Sequence, residues 1–219
     1  ATVLSRNAPV IAVVVPCYRE RSHIIDVLSR IGPEVSRIIV VDDACPDGTG
    51  ATVAERATDN RVEVIVHERN QGVGAATLSG YRRAIESGAD IIVKLDGDGQ
   101  MDPALIPNLI RPIAEGKADY TKGNRFHRLD AFSQMPAARI AGNLALSFLS
   151  KLSSGYWNVF DCTNGFTAIH ANVARLIVET RVSRRYFFES DMLFQLGLLR
   201  AVVVDVPMEA RYGSETSGV

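Results

Sequence analysis

Asp96 and Asp98 stand one residue apart in the run Val93-Lys94-Leu95-Asp96-Gly97-Asp98-Gly99-Gln100. Residues two apart on an extended chain point the same way, and a turn rich in glycine keeps such a pair close. Two carboxylates held together repel unless a cation lies between them. A hard divalent cation such as Mg2+ or Mn2+ takes one or two carboxylates and fills its other positions with phosphate oxygens and water. Asp96, Asp98 and the side-chain oxygen of Gln100 are therefore candidate metal ligands, and the glycines leave room for a ligand to approach. The plainer alternative is an acidic surface turn. Its position at the end of an apolar run favours the metal site.

Other polar groups fall at comparable places. Asp42-Asp43 closes a second apolar run. A carboxylate there can accept from a base N–H or from ribose hydroxyls, or cap the helix that follows, with Asp47 structuring the turn. Gly72-x-Gly74 opens a helical segment that resembles an anion cradle, with packing against a nucleotide or a plain helix start as the alternatives. It matches neither the dinucleotide fingerprint nor the P-loop. Arg125, Arg184, Arg185 and Arg211 carry a fork suited to phosphate oxygens, against the alternative of a solvated surface. Glu189 and Asp191 open a helix, where they favour its dipole or serve as a general base. His23, His67, His127 and His170 share no ligand spacing and are read as incidental.

These groups need a frame that brings them together. Residues 10–15, 37–41, 62–66 and 90–95 read as strands, three of them near-continuous apolar runs of the kind covered on both faces. Residues 21–31, 50–57 and 72–87 between them read as helices. Four alternations with short connections predict a parallel sheet with right-handed crossovers. In such sheets ligands sit at the carboxyl ends of the strands, where Pro16 to Glu20, Asp42-Asp43 and Asp96 to Asp98 all fall. Beyond residue 102 the spacing predicts helices over 103–114, 137–152 and 189–199, and strands over 120–125, 167–170 and 201–206. The fold class read from this is α/β, with a mainly parallel central sheet flanked by helices. No repeat or linker interrupts 219 residues, so one domain over 1–219 is expected, with a nucleotide-binding half near 8–100 and an acceptor half near 101–219.

The composition is ordinary, 47% hydrophobic and 22% charged, with a net charge of -1 that gives no argument for a nucleic-acid partner. Three scattered cysteines predict neither a disulfide framework nor a zinc site. No apolar run is long enough to span a bilayer and no leader is visible, so a cytoplasmic setting is expected.

Taken together, the segments resemble those of family 2 glycosyltransferases. Pro16-Cys17-Tyr18-Arg19-Glu20 resembles their P-x-Y-N-E, and Asp42 to Thr49 their D-D-x-S-P-D-G-T. Arg69 to Ala76 resembles N-x-G-x-G-A-A, and Asp96 to Gln100 is similar to D-A-D-L-Q. Gly123-Asn124-Arg125-Phe126 resembles G-S-R-Y, and Asp161 to Phe166 resembles D-x-T-S-G-F. The resemblance runs from Val10 to Ser214 and points to the branch of dolichyl- and polyprenyl-phosphate mannosyl- or glucosyltransferases. It departs at Arg19, where the family often has Asn, at Asn164, which replaces Ser in the acceptor turn, and after Arg211, where a lysine is common.

The resemblance implies a GT-A fold and inverting transfer from a UDP- or GDP-sugar. It implies Pro16, Tyr18, Glu20, Asp42 and Gly72 around the nucleotide, and Asp96, Asp98 and Gln100 on Mg2+ or Mn2+. Arg125 and Arg211 would meet phosphates, beside Asn164 in the acceptor turn. The candidate catalytic residues are Asp96, Asp98, Asp191 and Arg211, with Asp191 (or Glu189) the base if the acceptor is a hydroxyl. The expected acceptor is a polyprenyl or dolichyl phosphate at the cytosolic face of a membrane. The alternatives are a saccharide hydroxyl, which needs a base, and a silent sugar-nucleotide-binding module.

Overall fold

Apolar runs without alternation demand cover on both faces, and the fold supplies it. The computed structural model describes residues 8–125, 148, 151–159 and 161–208. Strands β1 (Ile11–Cys17), β2 (Arg37–Asp42), β3 (Val62–Val66), β4 (Ile91–Lys94), β5 (Tyr120–Asn124), β6 (Thr167–His170) and β7 (Val203–Pro207) form one sheet in the order β3-β2-β1-β4-β6-β5-β7. The helices are α1 (Ile24–Ser29), α2 (Thr49–Arg56), α3 (Val73–Glu86), α4 (Ile106–Ala114), α5 (Ala171–Ile177) and α6 (Phe188–Leu198). A 3-10 turn, Pro103–Leu105, leads into α4, with the Asp102 side chain accepting from the Ala104 N–H. The first four strands are parallel, β6 is antiparallel to both neighbours, and β5 and β7 are parallel to each other.

Along β1, Ile11, Val13, Val15 and Cys17 face one core layer with residues of α1 and α4, and Ala12 and Val14 face the other with residues of α3 and α6. The alternation of strand side chains thus feeds two cores from one strand.

Pro16 decides where the sheet opens. Sequence spacing ends the first strand at Val15, yet β1 continues through Pro16 and Cys17, paired with Val41 and Asp42 of β2. On the other side β4 pairs only as far as Val14, with a last bond from the Leu95 N–H to the Val14 carbonyl. The next donor toward β4 would be residue 16, and proline has none. The ladder stops there, and β1 and β4 part just where Asp96 begins.

Candidate active site

The parted strand ends border a cleft of about 590 Å3. Pro16, Cys17, Tyr18 and Glu20 line it from the end of β1, and Lys94, Asp96, Gly97 and Asp98 from the end of β4. Asp43, Asn70, Gly72 and Val73 form a second wall. Thr163, Gly165, Arg185, Tyr186 and Glu189 close it from the second half of the chain.

The floor is acidic. Burial, then the nearby Asp98, pushes the Glu20 carboxyl up to about 7, with His23 opposing. Burial likewise holds the Asp98 carboxyl above its usual range, and the charge on Asp96 adds to this. A divalent cation relieves such mutual repulsion. No cluster of three or more His, Cys, Asp or Glu side chains suited to a metal exists among the described residues. Asp96 and Asp98, two carboxylates bordering an open cleft, fit a cation of the Mg2+ or Mn2+ type, which completes its shell with phosphate oxygens and water.

Behind the floor lies a buried charge network. Lys94 on β4 and Lys122 on β5 both pair in register with Thr167 of β6, so they stand in one row across three strands. They are 1% and 0% exposed. Glu189, in the first turn of α6, bridges them: one oxygen lies 3.0 Å from the Lys94 Nζ and the other 3.3 Å from the Lys122 Nζ. Lys94 also donates to Asp96 Oδ1 at 2.8 Å and to the Gly165 carbonyl at 3.2 Å, and Lys122 donates to the Asn164 carbonyl. Burial alone would lower the pKa of Lys94, but the Asp96 and Glu189 carboxylates outweigh it and hold the ammonium well above its ordinary range. Gly165 is there because a Cβ would collide with Asp96 Oδ2 and sit 2.7 Å from the Lys94 Nζ.

Of the residues expected around a nucleotide, Pro16, Tyr18, Glu20 and Gly72 line the cleft and Asp42 does not. Asp42 is 4% exposed, and its two oxygens accept from the Cys45 and Gly50 N–H groups, both at 2.6 Å. It is the anchor of the turn into α2. The carboxylate that faces the cleft is Asp43, which accepts from His67 Nδ1 at 2.7 Å and from the Gln71 and Gly72 N–H groups. His67, read as incidental, is thus half of a buried pair and reaches Ser79 with its other nitrogen at 3.0 Å.

The anion-cradle reading of Gly72-x-Gly74 is corrected. The Gly74 and Ala75 N–H groups at the start of α3 are taken by the Arg184 carbonyl. Gly72 has φ +96°, and at both glycines a Cβ would strike the backbone of residues 183–184. The two glycines let that loop lie on the helix start.

Gln100 is exposed and off the cleft wall, its N–H donating to Asp98 Oδ1 at 3.0 Å. Arg125 grips the buried Asp161 with two nitrogens, at 2.7 and 3.1 Å. Asn164 is fully buried, donating to the Gly123 carbonyl and accepting from the Phe166 N–H, so it shapes the turn and presents nothing to the cleft. Asp191 is turned to the Ser183 N–H at 2.6 Å and is likewise absent from the cleft. Arg211 lies outside the described residues, as does most of the helix expected over 137–152.

Sequence reasoning passed over Lys94 and Lys122. The signal was available: a lysine inside a strand covered on both faces must have an acidic partner, and Glu189 is that partner.

The family model described as "Glycosyl transferase family 2" matches residues 12–177. The chain is 32% identical over 216 residues to UDP-N-acetylglucosamine--dolichyl-phosphate N-acetylglucosaminyltransferase of Methanococcus voltae, over 92% of this chain and 86% of that protein. It is 32% identical over 199 residues to undecaprenyl-phosphate mannosyltransferase of Micrococcus luteus, over 89% and 81% of the two chains. Among solved structures, glucosyl-3-phosphoglycerate synthase from Mycobacterium tuberculosis with UDP superposes at a TM-score of 0.66, with 22% identity over 95% of this chain and 73% of that one. The same synthase is also solved with Mg2+ and UDP. Both carry the GT-A type of α/β fold seen here.

Proposed function

The chain belongs to glycosyltransferase family 2, and from that premise we propose that it transfers a sugar from a UDP- or GDP-sugar to a polyprenyl or dolichyl phosphate, with inversion. The observation that carries the acceptor is the engagement of both candidate bases. Glu189 has each oxygen in an ion pair with a buried lysine, and Asp191 is bound to the Ser183 N–H outside the cleft. A saccharide hydroxyl must lose a proton to attack. A phosphate monoester is already ionised near neutral pH, its second pKa being ~6, and needs no such base.

Tyr18 and Pro16 would flank the nucleoside, and Asp43 would brace the wall beside it. Asp96 and Asp98 would hold Mg2+ or Mn2+. When bound, that cation supplies charge neutralisation for the leaving diphosphate. Lipid acceptors also suit the rim, where Tyr186 is 99% and Phe187 66% exposed. No helix among the described residues is long and apolar enough to cross a membrane. A lipid-phosphate acceptor carries its headgroup at a membrane surface, and the transfer proposed here would take place there, on the cytosolic side. The single continuous sheet supports reading both halves as one domain.

A thermal-shift panel of UDP- and GDP-sugars with and without Mn2+ tests the donor, since a ligand bound only by the folded state raises apparent stability with its affinity. One donor class should raise Tm by several degrees, and more with Mn2+. No shift with any donor and metal would contradict the reading. A shift without transfer to any acceptor would favour a silent binding module.

A further inference from the structure

Lys94 stands in an unusual place for a cation. Its Nζ is 2.8 Å from Asp96 Oδ1, the carboxylate that ends the same strand and lines the cleft. Its burial, its register beside Thr167 and its second partner Glu189 at 3.0 Å fix it there. Gly165 closes the far side, its carbonyl accepting from Lys94 and its missing side chain leaving space for Asp96 Oδ2. Asp96 thus already holds a cation on Oδ1, while Oδ2 lies against Gly165.

We infer that Lys94 is a resident counter-cation that competes for Asp96 and makes divalent-metal binding conditional on the donor diphosphate. The inference rests on the reading of Asp96 and Asp98 as metal ligands. A fixed positive charge beside Asp96 repels an incoming divalent cation and shares the carboxylate with it. In a partly buried site at an effective dielectric of ~20 this repulsion outweighs thermal energy several-fold. A diphosphate brings negative charge of its own, cancels the repulsion and supplies the oxygens that complete the metal shell. Metal and donor then bind together, and each strengthens the other by the same factor. A free metal ion, lacking the diphosphate, gains little. The arrangement keeps the cleft from loading metal without donor.

The sign of the effect separates this from a structural role. A ligand-supporting side chain weakens metal binding when removed, whereas a competing cation strengthens it. Calorimetric titration of Mn2+ into the wild type, alone and with saturating UDP or GDP, sets the baseline. In Lys94→Met, Glu189 keeps Lys122 as its partner. That variant should bind Mn2+ about tenfold tighter without nucleotide, an effect of about 1.4 kcal/mol. Its gain from adding nucleotide should shrink by a similar factor. If Lys94→Met does not fold, the triple variant K94M/K122M/E189L reads the same quantity, because apolar replacement of all three groups leaves neither Lys122 nor Glu189 unpaired, and Asp96 stays at the cleft edge. Unchanged or weaker Mn2+ binding in a folded variant would overturn the role of Lys94. Failure of the wild type to bind Mn2+ even with nucleotide would instead overturn the metal-site reading on which it rests.

Discussion

Asp96 and Asp98 face the cleft from a turn, so replacing either by alanine should leave the fold intact, with some loss of stability in Asp96→Ala, which takes from the buried Lys94 one of its two carboxylates. The account expects kcat to fall by about 100-fold or more for either change, the scale of losing an electrostatic stabiliser of the leaving group, with an unchanged circular dichroism spectrum. Asp191→Ala should behave differently. It removes a charge-assisted bond to the loop that carries Arg185 and Tyr186, which contributes about 1.5–3 kcal/mol to stability. KM should rise and kcat stay within about tenfold. A kcat loss of roughly 100- to 10,000-fold, the scale of removing a general base, would contradict the placement of Asp191. At Gly165 the added methyl of Gly165→Ala would fall on Asp96 Oδ2 and Lys94 Nζ. That overpacking should cost about 1–3 kcal/mol of stability and most of the activity. A fully active Gly165→Ala would show that the Asp96–Lys94 pair has no part in the reaction.

At the scale of elements, the strands were legible because parallel strands buried on both faces leave long β-branched runs, as in residues 10–15 and 37–41. The convergence of Pro16, Asp43 and Asp96 at one edge followed from topology alone. What could not be read was which carboxylate faces which way. Asp42 and Asp43 are neighbours, and one residue of register sends one to the α2 turn and the other to the cleft. Arg125 and Asn164 carry the motif, yet their partners, Asp161 and the Gly123 carbonyl, are about 40 positions away in sequence. No local pattern encodes such contacts. His170 shows the same limit with a measurable consequence. It ends β6 and caps α5, its Nδ1 accepting from the Asn172 N–H at 3.1 Å, while Nε2 is buried with no hydrogen-bond partner. Burial lowers its pKa below the ordinary 6.5, against the pull of Asp119 and Asp90. Because the folded form favours the neutral ring, its contribution is complete above pH 6.5 and is lost as pH falls through the lower folded value. Urea unfolding between pH 7.5 and 5 should show this loss, at up to about 1.4 kcal/mol per pH unit. His170→Asn keeps a capping acceptor and should flatten it. An equal acid loss in His170→Asn would place the titration elsewhere.

At the scale of the molecule, β1 to β4 build the side of the cleft where the donor would sit, and the loops before β6 and α6 build the side where an acceptor would enter. The two halves meet in the Lys94–Glu189–Lys122 network, so the strand end that carries Asp96 is tied directly to the helix beneath the exposed Tyr186 and Phe187. Replacing both aromatics by alanine should raise KM for a lipid acceptor by about threefold or more and leave KM for the donor unchanged. A change confined to the donor would move the acceptor entrance elsewhere. The central claim is that the acceptor's own phosphate, with no side-chain base, attacks the sugar. Its most direct test is transfer of label from the donor identified by thermal shift, with Mn2+, to polyprenyl phosphate, to unphosphorylated polyprenol and to saccharides in parallel. The account predicts label in the polyprenyl phosphate product alone. Label in a saccharide or in polyprenol, with none on the lipid phosphate, would contradict it.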